Sequence, residues 1–511
     1  MYYFILGIIT LWVVAGGVAA FFRSLHIFQL SLYDPQPWAK RINEREQWLA
    51  HIKLHLAPWY IFKLKKQTKK RLVMTPRAIR LTVTAALFNL LTGAVVALIF
   101  AAFLFKGHQG FFVFVVVHSC FIGLIVASAA TENFLPLINW LNSPIEKRIG
   151  DRYINEAKEL IASNSKLITI GVTGSYGKTS VKYFLGTILS GKWNTLITPE
   201  SYNTTMGVVK TVRGSLLPTH EIFVCEMGAK KQGEIKEICD IVSPKHAVIT
   251  AIGPQHLETF GSIDNIIKTK FELTDSITDG IAFLNFGNDY IKTRSLDKTT
   301  VRYCIGGGTS DYCGNVTGVS ERGMTFDVTF PDQTVFSFET RLLGTHSVEN
   351  LTGAIAVAHS LGMTAGEIAF QIKKITPVPH RLQLHQRGDD LLIDDAFNSN
   401  PVGAASAVDT LRLFDGTRIL ITPGMVELGD KEYELNRNLG RHAAICCDIA
   451  VLIGKTNTAS LHEGLIQGGF DENQIKMYNT VIEGIAFADS LDTAGKRKII
   501  LLENDLPDDY N

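Results

Sequence analysis

The chain has 511 residues, room for several domains rather than one core. Its 50 Lys and Arg are balanced by 49 Asp and Glu, for a formal charge of +1, which excludes the basic excess of a nucleic-acid binder. Mean hydropathy is +0.14, and the apolar weight lies in the first part of the chain.

Three apolar runs come first, at residues 2–22, 81–105 and 111–130. Each is near the ~20 residues that a helix needs to cross a bilayer. The first has no basic residue ahead of it and is longer than the apolar part of a signal peptide, so it reads as a retained span. The second and third flank a short polar loop and read as a helical hairpin. The loop at 23–80 carries KLKKQTKKR at 63–71, with Trp38, Trp48, Trp59 and Tyr60 beside basic residues. The excess of Lys and Arg places that loop on the cytoplasmic side. The expectation is a membrane region over 1–135, multi-pass in the cell (inner) membrane, touching lipid and leaving the rest of the chain in the cytoplasm. Residues 136–165 read as a helical connector.

From residue 166 the pattern becomes α/β. Apolar runs at 167–170, 222–225, 247–252 and 280–284 alternate with helical segments, which predicts parallel strands in a doubly wound sheet. Residues 302–338 alternate Gly, Thr and Val with apolar residues and predict appended antiparallel strands; a helix over 348–361 follows. A break at 376–381 (TPVPHR) opens a second α/β pattern. Its strands are expected at 391–394, 418–422, 449–453 and 499–502, with helices at 402–414 and 433–445. The fold class is therefore α/β: a central domain over 166–376 and a smaller Rossmann-like domain over 377–511, able to clamp a nucleotide between them. Seven cysteines are scattered without a Cys-x-x-Cys pair, which fits free thiols in a reducing compartment and argues against a structural zinc.

The chemistry concentrates at GVTGSYGKTS, residues 171–180, between a strand and a helix. Strand, glycine-rich turn, Gly-Lys-Thr and helix together make a phosphate-binding loop. Gly174, Ser175 and Gly177 let backbone amides curl around an anion, and the helix start at Ser180 adds its dipole. Lys178 would reach the β- and γ-phosphates of ATP, and the Thr179 hydroxyl would bind Mg²⁺. Glu226 ends a strand in EMGA at 226–229, and His256 follows another in GPQHLETFG at 253–261. Strand ends are where open α/β sheets hold ligands, so Thr179, Glu226 and His256 read as a magnesium site.

These residues resemble the Mur ligase family of ATP-driven amide ligases, and within it the MurF type, which adds D-alanyl-D-alanine to a UDP-MurNAc-tripeptide. The resemblance rests on GSYGKTS at 174–180, EMGA, HLETFGS at 256–262, KFE at 270–272 and GTHSVEN at 344–350. It rests further on His380-Arg381, DDAFNSNP at 394–401 and GMVELG at 424–429. It spans residue 167 to the end. It implies a catalytic set of Lys178, Glu226, His256, Lys270 and Arg381, with Lys270 at the position of a carbamylated lysine; the plain alternative is a surface lysine paired with Glu272. It implies that His346 and Asn350 contact adenine, that Asp395 holds the ribose, that Arg381 approaches the phosphates on closure, and that Asn203 and Asn398 face the substrate. The partners implied are D-Ala-D-Ala and a muropeptide, UDP- or lipid-linked, since apolar runs stand where the family's UDP-binding domain would be. Tyr176 and Ser347 depart from the family pattern, each replacing an Asn. A ligase for another amino-acid polymer, or a membrane nucleotide sensor or ATPase, is the alternative reading.

Overall fold

The computed structural model describes residues 2–31, 33, 35, 38–39, 53, 72–104, 134–255, 257–294, 297–320, 322–377, 380–396, 401–426 and 428–504. The chain forms two compact units, Met1–Arg152 and Tyr153–Asn511. The first is helical: α1 (Tyr2–Leu30), α2 (Pro76–Leu104) and the start of α3 (Leu135–Ser163). Phe21, Leu25 and Phe28 of α1 share an apolar cluster with Ala78 and Leu81 of α2 and Leu135 and Ile138 of α3. Arg80 forks onto Glu146 with contacts of 2.6 and 2.9 Å, a bidentate pair that fixes α2 against α3. The expected connector is thus one continuous helix, with Pro144 inside it.

The expected multi-pass inner-membrane placement is not upheld. Among the described residues two stretches, Thr10–Leu30 and Pro76–Ile99, are long and apolar enough to span a bilayer, and the first is 61% buried within the protein, as a packed core helix is. The third run, 111–130, and most of the basic loop lie outside the described residues. α1 also continues through residues expected in that loop.

The second unit is built on two sheets. The first has nine strands: β1 (Ile168–Thr173), β2 (Thr195–Ile197), β3 (Ile222–Glu226), β4 (His246–Ile249), β5 (Ala282–Asn285), β6 (Thr300–Ile305), β7 (Tyr312–Ser320), β8 (Gly323–Thr329) and β9 (Val335–Thr340). Their order is 2-3-1-4-5-6-7-8-9. Pairing is parallel from β2 to β7 and antiparallel only from β7 to β9, so β6 extends the parallel sheet instead of joining the expected antiparallel group. The helices are α4 (Lys178–Leu189), α5 (Thr205–Ser215), α6 (Glu234–Val242), α7 (Ile263–Ser276), α8 (Thr345–Ser360) and α9 (Ala365–Ile372).

Strand alternation explains the two-sided core. Ile222 and Val224 of β3 face α4 and α8, whereas Phe223 and Cys225 face α5, α6 and α7. Both faces are apolar because helices cover both, which is why these strands read as unbroken hydrophobic runs.

The second sheet has six strands: β10 (Gln383–Arg387), β11 (Asp390–Asp395), β12 (Thr417–Thr422), β13 (Ile449–Ile453), β14 (Ile475–Tyr478) and β15 (Lys498–Glu503), ordered 10-11-15-12-13-14. Only β10 runs antiparallel, to β11. α10 (Pro401–Leu411), α11 (Glu432–Ala443) and α12 (Thr458–Gln467) cover one face, and α13 (Val481–Ser490) the other. Asp395, Thr422 and Glu503 all lie at carboxyl ends of parallel strands on one edge.

Candidate nucleotide and metal site

β1 is the topological switch point of the large sheet, since the chain passes from β1 to β2 and β3 on one side and then crosses to β4 on the other. The loop that leaves β1 there carries the glycine-rich motif. Gly174 has φ +152°, and a Cβ on it would come 2.2 Å from Thr250 Oγ1. Gly177 caps α4 at φ +80°, where a Cβ would come 2.6 Å from Asn350 Oδ1. Only glycine fits either position, and the amides of the turn are left to line a concave anion site.

The loop is clasped to the segment after β4. The Ser175 amide donates to Ala251 O at 2.6 Å, its hydroxyl to Gly253 O at 3.0 Å, and Gly253 N donates back to Ser175 Oγ at 3.1 Å. The Tyr176 hydroxyl donates to Pro254 O at 3.2 Å, so this departure from the family pattern packs the loop. Ser347 turns into its own helix, donating to Leu343 O at 2.7 Å.

Lys178 opens α4 and its Nζ donates to Gly174 O and Ser175 O at 2.7 and 2.9 Å. Burial pushes its ammonium down to about 8, against the pull of Glu226 and with the help of Arg381. Thr179 and Ser180 follow in the first turn of α4. The register Val172↔Glu226 places the Glu226 carboxylate beside the loop at the end of β3. Glu226 is 1% exposed, and its Oε1 accepts from Thr179 Oγ1 at 3.2 Å and Asn203 Nδ2 at 2.9 Å.

Its other oxygen, Oε2, pairs with Lys182 Nζ at 2.9 Å, both side chains being essentially dry. Burial pushes the Glu226 carboxyl up, but the Lys182 and Lys178 ammoniums and the Asn203 amide outweigh it and hold it below its ordinary value. The sequence reading missed Lys182. The available signal was a lysine on the face of α4 that Val181, Phe184 and Leu185 mark as buried.

Lys270 on α7 is 3% exposed, and burial with the nearby Lys178 charge pulls its amine down to about 7. Glu272 is engaged elsewhere, accepting from Gly233 N and Lys236 N at 2.7 and 3.0 Å, so the surface-lysine alternative fails. His256 and Asn398 lie outside the described residues.

The second sheet brings the remaining residues in. Arg381 sits between His380 and Leu382, which both hold left-handed backbone, at φ +60° and +44°. Removal from water lowers the Arg381 guanidinium, while Asp395 and Glu226 pull it up; one arginine thus feels an acid from each sheet. His346 Nδ1 meets Ser406 Oγ of α10 at 2.9 Å, and burial beside Arg381 pushes its imidazole down to about 4, keeping it neutral. Asn350 is buried against Gly177. Asp395 Oδ1 accepts from Leu382 N at 3.0 Å.

Removal from water and the nearby Glu503 raise the Asp395 carboxyl to about 7. Between the unfolded pKa of about 3.9 and that value, the folded chain holds a proton that the unfolded chain releases. The resulting stabilisation is complete below the lower value and is lost as pH rises through about 7. Urea midpoints measured across that window should fall with pH in the wild type, and Asp395→Asn should flatten this part of the profile. An unchanged slope would show that Asp395 titrates as an ordinary carboxylate.

Residues 172–358 match the family model described as "Mur ligase middle domain". Among curated proteins, the UDP-N-acetylmuramoyl-tripeptide–D-alanyl-D-alanine ligase of Escherichia coli K12 is 32% identical over 57% of this chain and 65% of its own length. The Bacillus subtilis ligase of the same name is 30% identical over 53% of this chain and 59% of its own length. The chain thus spans just under two thirds of the first of these relatives and less of the second. The crystal structure of MurF from Acinetobacter baumannii superposes with a TM-score of 0.63 at 27% identity, over 69% of this chain and 76% of that one. These relatives are named for a UDP-linked substrate, and with two apolar stretches found among the described residues the multi-pass inner-membrane placement is set aside. Residues 172–358 are thus similar to a Mur ligase middle domain, and the relatives that the chain matches over part of their length are ligases of the same kind.

Proposed function

We propose that this chain is an ATP-dependent amide ligase of the MurF type, which joins D-alanyl-D-alanine to a UDP-linked muramoyl tripeptide. The observation that carries the reading is the phosphate loop with Glu226 locked beside it by strand register. The curated relatives carry that activity in their names. In the reaction a peptide carboxylate attacks the γ-phosphorus of ATP and ADP leaves. The amine of the dipeptide then attacks the acyl phosphate, releasing phosphate and a proton.

Glu226 Oε1 and the Thr179 hydroxyl, 3.2 Å apart, are hard oxygen donors at a buried carboxylate that the Asn203 amide orients, which fits Mg²⁺. When bound there, the ion would neutralise phosphate charge. Lys178 would leave its loop carbonyls for the β- and γ-oxygens. Arg381 would approach the same oxygens when the two sheets close, and His346 and Asn350 would line the adenine side, with Asp395 at the ribose. The central domain is taken as 166–376 and the smaller one as 377–511.

The test is phosphate release with ATP, Mg²⁺, the UDP-tripeptide and D-Ala-D-Ala. Turnover should need both peptide substrates and yield a product heavier by the dipeptide residue. Phosphate release indifferent to both would overturn the ligase reading in favour of an ATPase or sensor.

Lys270 would carry a carbamate. Its amine, at about 7, has a neutral fraction at neutral pH that can add to CO₂, which an ordinary lysine lacks. Lys270→Ala should cost on the order of 10²-fold in kcat, as loss of one charge-stabilising group does, and short carboxylic acids should restore part of it. Incorporation of ¹³C-bicarbonate at Lys270 should rise with pH through about 7. Full activity of the variant, with no rescue to measure, would remove Lys270 from the site.

A further inference from the structure

Outside the nucleotide site, the helices of the small domain gather three unlike ligand types. Asp409 lies on α10, His442 on the last turn of α11, and Cys446 just beyond it. Asp409 Oδ1 and His442 Nε2 are 2.9 Å apart, and Cys446 Sγ is 3.7 Å from the same carboxylate oxygen. One ligand atom from each residue lies within 4.8 Å of the others.

Metal–nitrogen and metal–oxygen bonds of about 2.0–2.2 Å and metal–sulfur bonds of about 2.3 Å put tetrahedral donors roughly 3.3–3.8 Å apart. The sulfur–oxygen separation already fits, and the nitrogen–oxygen pair need open by only about half an ångström. Cys446 is 0% exposed within the apolar cluster under α10 and α11, so its sulfur has a fixed root. Asp409 and His442 are half-exposed, leaving a side open for water as a fourth ligand.

Cys447 is not part of the set, since its thiol donates to Ala443 O at 3.2 Å. Thiolate plus carboxylate would balance a divalent charge.

We propose that Asp409, His442 and Cys446 form a transition-metal site of the zinc class that joins α10 to α11. Sulfur and imidazole donors select Zn²⁺ or Co²⁺ and not Mg²⁺, so the site is chemically separate from Glu226. It does not depend on the ligase reading. Asp409 stands three residues beyond Ser406, the partner of His346, so a loaded site stiffens the helix that meets the large sheet's histidine.

The test uses the full chain without a histidine tag. After equilibration with Zn²⁺ and gel filtration in excess Mg²⁺, one zinc per chain should remain. The Co²⁺ form should show a thiolate-to-metal absorption band that Cys446→Ser abolishes. His442→Gln, a change on a half-exposed helix face, should weaken retention about tenfold or more, equivalent to about 1.4 kcal/mol. Should Cys446→Ser fail to fold, Asp409→Asn and His442→Gln decide by the same readouts. Metal retention untouched by these variants, or displacement by Mg²⁺, would reduce the trio to an Asp–His ion pair beside a thiol.

Discussion

Replacing Lys178 with alanine should abolish ATP-dependent ligation while leaving the fold intact. Its Nζ is held by two loop carbonyls, contacts that a water can replace, so stability should change little. Its loss matters when charge develops on the transferring phosphoryl group. Removing a single preorganised donor costs about 10²–10³-fold in kcat, and a full cation on the phosphates should cost at least that. Both kcat and kcat/KM should fall together, which marks an interaction made in the transition state. Near-normal turnover would move the phosphate site elsewhere.

The second large effect is at Lys182, which the sequence reading passed over. Its ammonium and the Glu226 carboxylate neutralise one another without water. Lys182→Met keeps the length of the side chain and strands the carboxylate as a buried, partly unpaired charge. Breaking such a pair costs about 3–5 kcal/mol of stability. Glu226 would respond by taking up a proton, which would also remove it as a cation ligand. The variant should therefore lose both urea resistance and ligation. Adding Glu226→Gln should restore most of the stability and none of the activity, because the stranded charge is gone but the ligand is too. A single variant as stable as the wild type would show that the pair contributes nothing.

Local pattern carried far in this chain. The phosphate loop was legible because glycine spacing, an apolar strand and an amphipathic helix are all short-range features, and the structure places each where expected. Glu226 was legible for the same reason: it ends an apolar run, and a parallel strand's carboxyl end is a ligand edge by construction. β2 and β10 escaped notice because three weakly apolar residues in one, and a polar edge strand in the other, carry no distinct periodicity. β6 was assigned the wrong sense because strand direction depends on its neighbour, and its own residues read the same either way. The apolar stretches of the first unit suggested spans by length and composition, yet Thr10–Leu30 is largely covered by protein, and only packing reveals that.

By itself the sequence determined the α/β class, the glycine-rich loop between strand and helix, the two successive α/β patterns and the family resemblance, because each follows from motifs confined to neighbouring residues. Only the tertiary structure decided the state of Lys270, which the chain could show equally as a surface or an interior lysine until burial beside Lys178 was seen. It alone matched Lys182 to Glu226, 44 positions apart in the numbering of the two residues, and set Arg381 between acids of two sheets. It also gathered Asp409, His442 and Cys446, whose spacing follows no metal-binding motif. The physical reason is common to all of them. Charge states and ligand sets depend on which distant groups share a low-dielectric space, and that is fixed by packing and not by order along the chain.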